Sequence, residues 1–302
     1  MASSRFDVVG IGENSVDLVY RVPMIPGPNA KVGASEHRVS CGGQVATTLG
    51  ACAAFGLRSA YVGTFGDDDN GTRIREALAD AHVDTSCSVV RRAPNRHAVI
   101  LVDEGNGDRT VVWHRDPRLA LKIEELPTDV IRSARLVHVD DLDEDTSIAA
   151  AHAAVAAGIP VTTDIDRVTD RTSELIALST APIFSAQVPS SLTGERDAER
   201  ALRKLRTTHT GWLCVTLGVD GAMLLDGDRL HHVPAMVVDV VDTTGAGDVF
   251  RAAFIHALLQ RRQPLEILKF ATAAAAMSCT RQGALASVPV LDEVQRLLDA
   301  EV

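Results

Sequence analysis

Aromatic residues are scarce, 4% of 302 positions, and cysteine occurs five times (Cys41, Cys52, Cys87, Cys214, Cys279), never as Cys-x-x-Cys. The odd count and scattered spacing argue against a disulfide framework, and the missing pairs against a structural zinc site. Bases are outnumbered, 30 against 40 acids, for a formal charge of −10. Such a chain lacks the broad cationic face that grips nucleic-acid phosphates, so small molecules are the expected partners. Long apolar runs are missing too. The most apolar helical stretch, Ser147 to Val161, is too short for a bilayer and contains His152. Met1 to Asp7 is polar, without a signal-peptide pattern. No Gly-x-x-x-x-Gly-Lys-Ser/Thr occurs, which excludes a Walker-type ATPase. The expectation is a reduced, cytoplasmic, soluble protein with no membrane or nucleic-acid partner.

What is present is an alternation. Short runs such as Phe6–Ile11, Ser59–Thr64, Arg135–Val139, Pro160–Asp164, Ile183–Ser185 and Trp212–Thr216 read as strands. Between them lie helical stretches at 45–55, 71–82, 147–158, 173–179 and 198–208. Strands separated by crossover-length helices predict an α/β fold, a mostly parallel sheet covered on both faces in three layers. Two excursions break the rhythm. Leu18 to Ser40 is extended but interrupted by Pro23, Pro26 and Pro28, and His97 to His114 reads as a hairpin around Glu104–Asp108. Together, at about 18–40 and 96–115, they predict a small β-sheet lid on a single domain spanning 1–302.

The most informative stretch is Val240-Val241-Asp242-Thr243-Thr244-Gly245-Ala246-Gly247-Asp248-Val249-Phe250, which leads into a helix. Small residues before a helix let backbone amides converge where the helix end is partly positive, a nest for an anion such as a nucleotide phosphate. Asp248 sits where a carboxylate could take the proton of an attacking hydroxyl. Holding a phosphoryl group beside a base is most of what hydroxyl phosphorylation requires. By itself, Gly-Ala-Gly-Asp is matched by a bland alternative, an Asp that caps a helix after a glycine turn.

The longer string Asp-Thr-Thr-Gly-Ala-Gly-Asp-x-Phe resembles the C-terminal signature of the ribokinase-like (PfkB) family of ATP-dependent sugar and nucleoside kinases. Other segments follow the family in order: Gly12 with Asp17, Cys41-Gly42-Gly43-Gln44-Val45-Ala46-Thr47, Gly63 to Gly71, Val215 to Ala222, and Ala273 to Gly283. The last is similar to the ketohexokinase and sulfofructose kinase branch. The resemblance implies a ribokinase-like fold with Asp248 as catalytic base and the amides of Gly245, Ala246 and Gly247 as an anion hole. It implies that Asp17, Gly42, Gly43 and Gln44 bind sugar, and that Thr216, Gly218, Gly221, Cys279 and Gly283 bind ATP. Mg²⁺ would accompany ATP, with a monovalent cation such as K⁺ near Asp242 and Thr243. Transfer of the γ-phosphoryl group to a sugar hydroxymethyl is the implied activity. A nucleoside kinase or a non-catalytic sugar sensor on the same fold are the alternatives.

The chain departs from the family at two places. Thr47 stands where an Asn is usual, and the Asn-x-x-Glu motif that helps hold Mg²⁺ is replaced by Ser185 and Val188. Asp140 or Asp141, at a strand's carboxyl end, is a further candidate substrate contact, because open α/β sheets bind ligands there. In that role it would favour a neutral or amine-bearing sugar and disfavour a sulfonated or phosphorylated one. Gly10-Ile11-Gly12 nearly spells a dinucleotide fingerprint but is followed by an extended segment rather than a helix, so a dehydrogenase is disfavoured. Exposed edges on the lid predict a homodimer.

Overall fold

Runs of Val, Ile and Leu that end in glycine or a charged residue form the strands, and Ala- and Leu-rich runs between them form the helices. The computed structural model describes residues 5–105 and 109–300. The chain begins with β1 (Val8–Ile11), β2 (Ser15–Val22), β3 (Glu36–Gly42), α1 (Gln44–Ala54), β4 (Ser59–Val62), β5 (Thr64–Gly66) and α2 (Asp69–Asp80). Next come β6 (Val89–Arg91), β7 (His97–Asp103), β8 (Arg109–His114), α3 (Thr128–Ser133), β9 (Leu136–Asp140), α4 (Glu144–Ala156) and β10 (Val161–Ile165). The middle continues with α5 (Thr172–Leu178), β11 (Ala181–Ser185), α6 (Gln187–Thr193), α7 (Ala198–Leu205) and β12 (Leu213–Thr216). The last elements are β13 (Ala222–Asp226), β14 (Arg229–Val233), α8 (Ala246–Leu259), α9 (Pro264–Ser278) and α10 (Leu291–Ala300).

One large sheet runs in the order β14-β13-β12-β11-β10-β9-β1-β4. Six of its strands, from β12 to β4, are parallel, and β13 and β14 add an antiparallel edge. The mostly parallel sheet expected from the alternation is present. The sequence carries no signal for the β13–β14 hairpin, because Ala222 to Val233 follows the Gly218–Gly221 turn without a helix to mark the boundary.

Strand side chains alternate between faces, so each parallel strand feeds two cores. Val8, Leu136, Ile183 and Cys214 pack on the side of α1, α8 and α9. Val9, Val137, Phe184 and Val215 pack on the side of α4, α5 and α7. The period of two also places His138 and Asp140 of β9, Thr162 and Asp164 of β10 and Thr216 of β12 on the α1–α8 side. This row of polar residues sits over an otherwise apolar layer.

A second sheet, β3-β2-β7-β8, comes from the two predicted excursions. β2 pairs antiparallel with β3 and parallel with β7, and β7 pairs antiparallel with β8. The hairpin over 97–114 therefore forms, with part of its turn outside the described residues. A two-stranded piece, β5-β6, completes the structure. None of the helices among the described residues is long and apolar enough to cross a membrane.

Candidate active site

The site is assembled where the Gly42–Thr47 loop, the 242–248 loop and the carboxyl ends of β1, β9 and β10 meet. Gly43 begins α1 with φ +99°, and a Cβ there would lie 2.5 Å from Asn14 Cα, so the chain turns into the helix only with glycine. The approach is fixed from below, with Ala46 N–H donating to Glu13 O at 3.1 Å. Asp17 lies on β2, half-buried, and accepts from Ser15 Oγ at 2.7 Å. Burial raises its proton affinity above that of an ordinary carboxylate. A Cβ on Gly42 would be 3.8 Å from Asp17 Oδ2 and 3.7 Å from Thr47 Oγ1, so both groups converge on the bare face of this glycine. Thr47 Oγ1 is buried without a hydrogen-bond partner.

The second wall is the start of α8. Gly245 caps the helix at φ +80°, ψ −2°, a left-handed conformation that favours glycine. The first helical turn is Ala246, Gly247 and Asp248, whose amides have no partner one turn back. Ala246 N–H makes only a 3.3 Å turn bond to Thr243 O. Gly245, not Asp248, is the cap, which removes the simplest structural role for this carboxylate. Ala284 ties the two walls together. Its Cα is 2.8 Å from where a Gly245 Cβ would sit, and its Cβ is 3.1 Å from where a Gly42 Cβ would sit. Thr48 Oγ1, next to Thr47, also donates to Asp248 O at 3.3 Å.

Asp248 has its proton affinity pushed well up by burial, opposed by Arg251 and reinforced by Asp166, Glu13 and Asp140. A carboxylate raised in this way is a better base for a hydroxyl proton. Burial likewise lifts Glu13 to about 7, with Arg96 and Arg115 pulling the other way.

On the far side of the 242–248 loop lies a cleft of about 660 Å³. Thr216, Gly218, Gly221 and Cys279 all line it, together with Met236, Val238, Phe250, Ala275, Ala276 and the first helical residues Ala246 and Gly247. It therefore opens directly onto the α8 N-terminus. Gly283 is outside the lining, and its N–H donates to Asp242 Oδ2 at 2.9 Å.

A profile of the "pfkB family carbohydrate kinase" description matches residues 5–291. The chain belongs to that family. An "ATP-dependent ribose-1-phosphate kinase" of Halopiger xanaduensis is 30% identical over 96% of this kinase and 97% of the relative. The crystal structure of a putative ribokinase from Agrobacterium tumefaciens superposes with a TM-score of 0.91 at 27% identity, covering 98% of each chain. Arabidopsis thaliana ribokinase complexed with ribose and ATP superposes at 0.84 with 25% identity, covering 97% and 98%. The kinase is thus an ATP-dependent phosphotransferase acting on a sugar hydroxyl, with the ribokinase-like fold that its motifs implied.

Several predicted residues have neighbours the sequence did not reveal. Asp140 is fully buried at the end of β9, where its oxygens accept from Glu13 N–H (2.6 Å) and Leu142 N–H (3.1 Å). It supports the Gly12–Glu13 turn beneath the site instead of standing open in the pocket. Gln44 Nε2 donates to Asp166 at 2.8 Å. Asp242 is held by Arg38 at 2.5 Å, by Gly283 N–H, and by Thr244 through its N–H and hydroxyl. Arg109 donates to Thr244 at 3.2 Å, so the edge strands β3 and β8 each set an arginine on this loop. Ser185 donates to Asp166, and Val188 is buried in the sheet's other core. Among the described residues no group of three or more His, Cys, Asp or Glu is arranged to hold a metal.

Proposed function

We propose that this kinase moves the γ-phosphoryl group of MgATP from the cleft beside α9 to a hydroxymethyl of a small sugar held by Asp17, Gly42, Gly43 and Thr47. The meeting of the two loops at Ala284, with Asp248 three residues beyond Gly245, supports the reading. Asp17 orients the sugar hydroxyls through its half-buried carboxylate, and the orphan Thr47 Oγ1 is free to bond one of them. Asp248 takes the hydroxyl proton as the oxygen attacks. The amides of Gly245, Ala246 and Gly247 face the charge that grows on the migrating group, at a helix start that favours it. The small sheet excludes the water that would otherwise hydrolyse ATP.

Mg²⁺ enters as part of the nucleotide substrate, because Ser185 and Val188 offer it no carboxylate. Asp242 is already neutralised by Arg38, so K⁺ near Asp242 and Thr243 would have to rely on backbone carbonyls. β8 is an edge strand with Val111 (52%), Val112 (64%) and Trp113 (61%) exposed, which supports a homodimer paired through the lid. Five unpaired cysteines support a reduced, cytoplasmic setting.

The test is ADP release with MgATP across pentoses, ketoses, ribose 1-phosphate and nucleosides. A pentose or ketose is expected to be the best acceptor, and a ketose preference would support the ketohexokinase branch. Asp248→Asn should lower kcat by about 10²–10⁴-fold while sugar still raises the melting temperature. Turnover with nucleosides alone, or undiminished turnover in Asp248→Asn, would refute the reading.

A further inference from the structure

Arg251 is the one lysine or arginine in the apolar run Val249–Leu259, and it lies one turn after Asp248 on α8. It is only 3% exposed. Helical side chains lean toward the N-terminus, so Arg251 lies back over the first turn. A Cβ on Gly247 would come within 2.7 Å of Arg251 Nη1, so the guanidinium lies against the bare face of an anion-hole residue. Nη2 is ion-paired with Asp164, itself 1% exposed at the end of β10, and stands 3.8 Å from Asp166. Nε is buried with no hydrogen-bond partner. A cation this deep in an apolar helix is costly unless its charge is used.

We propose that Arg251, held by Asp164, is a positioning residue for phosphoryl transfer: it braces Gly247 and balances the carboxylates that act on Asp248. The proposal rests on the reading of Asp248 as the base. The charges that act on Asp248 come from four places. Glu13 lies in the β1–β2 turn, Asp140 at the end of β9, Asp164 and Asp166 at and just beyond the end of β10, and Arg251 on α8 itself. Arg251 is the cation in this set, and it opposes both burial and the surrounding carboxylates in setting how tightly Asp248 holds a proton. Asp164 in turn tempers Arg251. The pair therefore sets the balance from both directions, and its two halves should have opposite effects when removed.

The experiment reads the titration of Asp248 without needing turnover. The melting-temperature difference between each protein and its Asp248→Asn counterpart is followed against pH, and the acid limb of kcat/KM is measured beside it. Arg251→Met should move both midpoints to higher pH by about 1 unit, and Asp164→Asn should move them to lower pH. Arg251→Lys should restore the midpoint while leaving kcat reduced, because an ammonium keeps the charge but not the planar brace. If Arg251→Met does not fold, the downward shift in Asp164→Asn still decides the matter. Midpoints that stay put, or that move the same way in both variants, would overturn the proposal. An active kinase with unmoved midpoints would overturn it alone. Shifted midpoints in a protein that phosphorylates no sugar would overturn the kinase reading as well.

Discussion

Gly245→Ala tests the proposed anion hole apart from the rest of the site. The residue sits at φ +80°, where an L side chain costs about 1–2 kcal/mol. The new Cβ would also meet Ala284 Cα at 2.8 Å and Ala284 Cβ at 2.9 Å. The obstacle is backbone, so relief requires the 283–287 segment to shift, an overpacking cost of about 1–3 kcal/mol. The combined loss of about 2–5 kcal/mol should lower the melting temperature by about 4–10 °C, taking the small end of the usual conversion for so long a chain. Calorimetry of the unliganded protein measures that part. The amides ahead of Asp248 would move by a fraction of an ångström to an ångström, enough to lower kcat by about 10²-fold in an ADP-release assay with little change in sugar affinity. Gly247→Ala is the control. Its φ is not positive, so it escapes the left-handed strain, and its loss should be limited to displacing the Arg251 guanidinium, whose Nη1 the new methyl would meet at 2.7 Å. A Gly245→Ala protein that melts with the wild type would refute the conformational reasoning. One that melts early but keeps its kcat would refute the anion hole.

Two further tests address the cleft and the loop. Ala275→Leu, placed in the lining of the 660 Å³ cleft, should raise KM for ATP by about tenfold and leave KM for the sugar alone, as steady-state kinetics can check. Burial pushes the proton affinity of Asp242 up, but the bonds from Gly283, Thr244 and Arg38 outweigh it and hold the carboxyl at about 2. A folded-state value below the unfolded one stabilises the protein above about pH 4 and loses that contribution as pH falls toward 2. Asp242→Asn should therefore melt lower than wild type at neutral pH, with the gap closing through that acid window.

Local signals made much of this protein legible. β-branched runs separated by Ala-rich stretches reveal the parallel sheet, because burial on both faces leaves no polar interruption in strands such as Val8–Ile11. The 242–250 string was readable as a family signature because it keeps particular small residues at fixed spacing ahead of a helix. The hairpin at 97–114 followed from two β-rich runs around a glycine turn. The charge partnerships were not legible. Arg38 meets Asp242 across 204 positions, Gln44 meets Asp166 across 122, and Arg251 meets Asp164 only because the end of β10 comes to the start of α8. Such pairs depend on which strands become neighbours, and no local pattern records that. Asp140 illustrates the same limit. Its place at a strand end was evident, but its commitment to the amides of Glu13 and Leu142 was not.

The parallel pairing of β2 with β7 has a consequence for biosynthesis. Two parallel strands cannot be joined by a tight turn, and here the connection contains β3, α1, β4, β5, α2 and β6. As the polypeptide leaves the ribosome, the N-terminal hairpin must wait until residue 103 has emerged before its inner edge is covered. Until then β2 offers unsatisfied backbone groups to any passing strand, the kind of delayed, non-local closure that makes nascent chains vulnerable to aggregation. Mutations that slow the docking of α1 or β4 should therefore reduce soluble yield more than they reduce the stability of the finished enzyme.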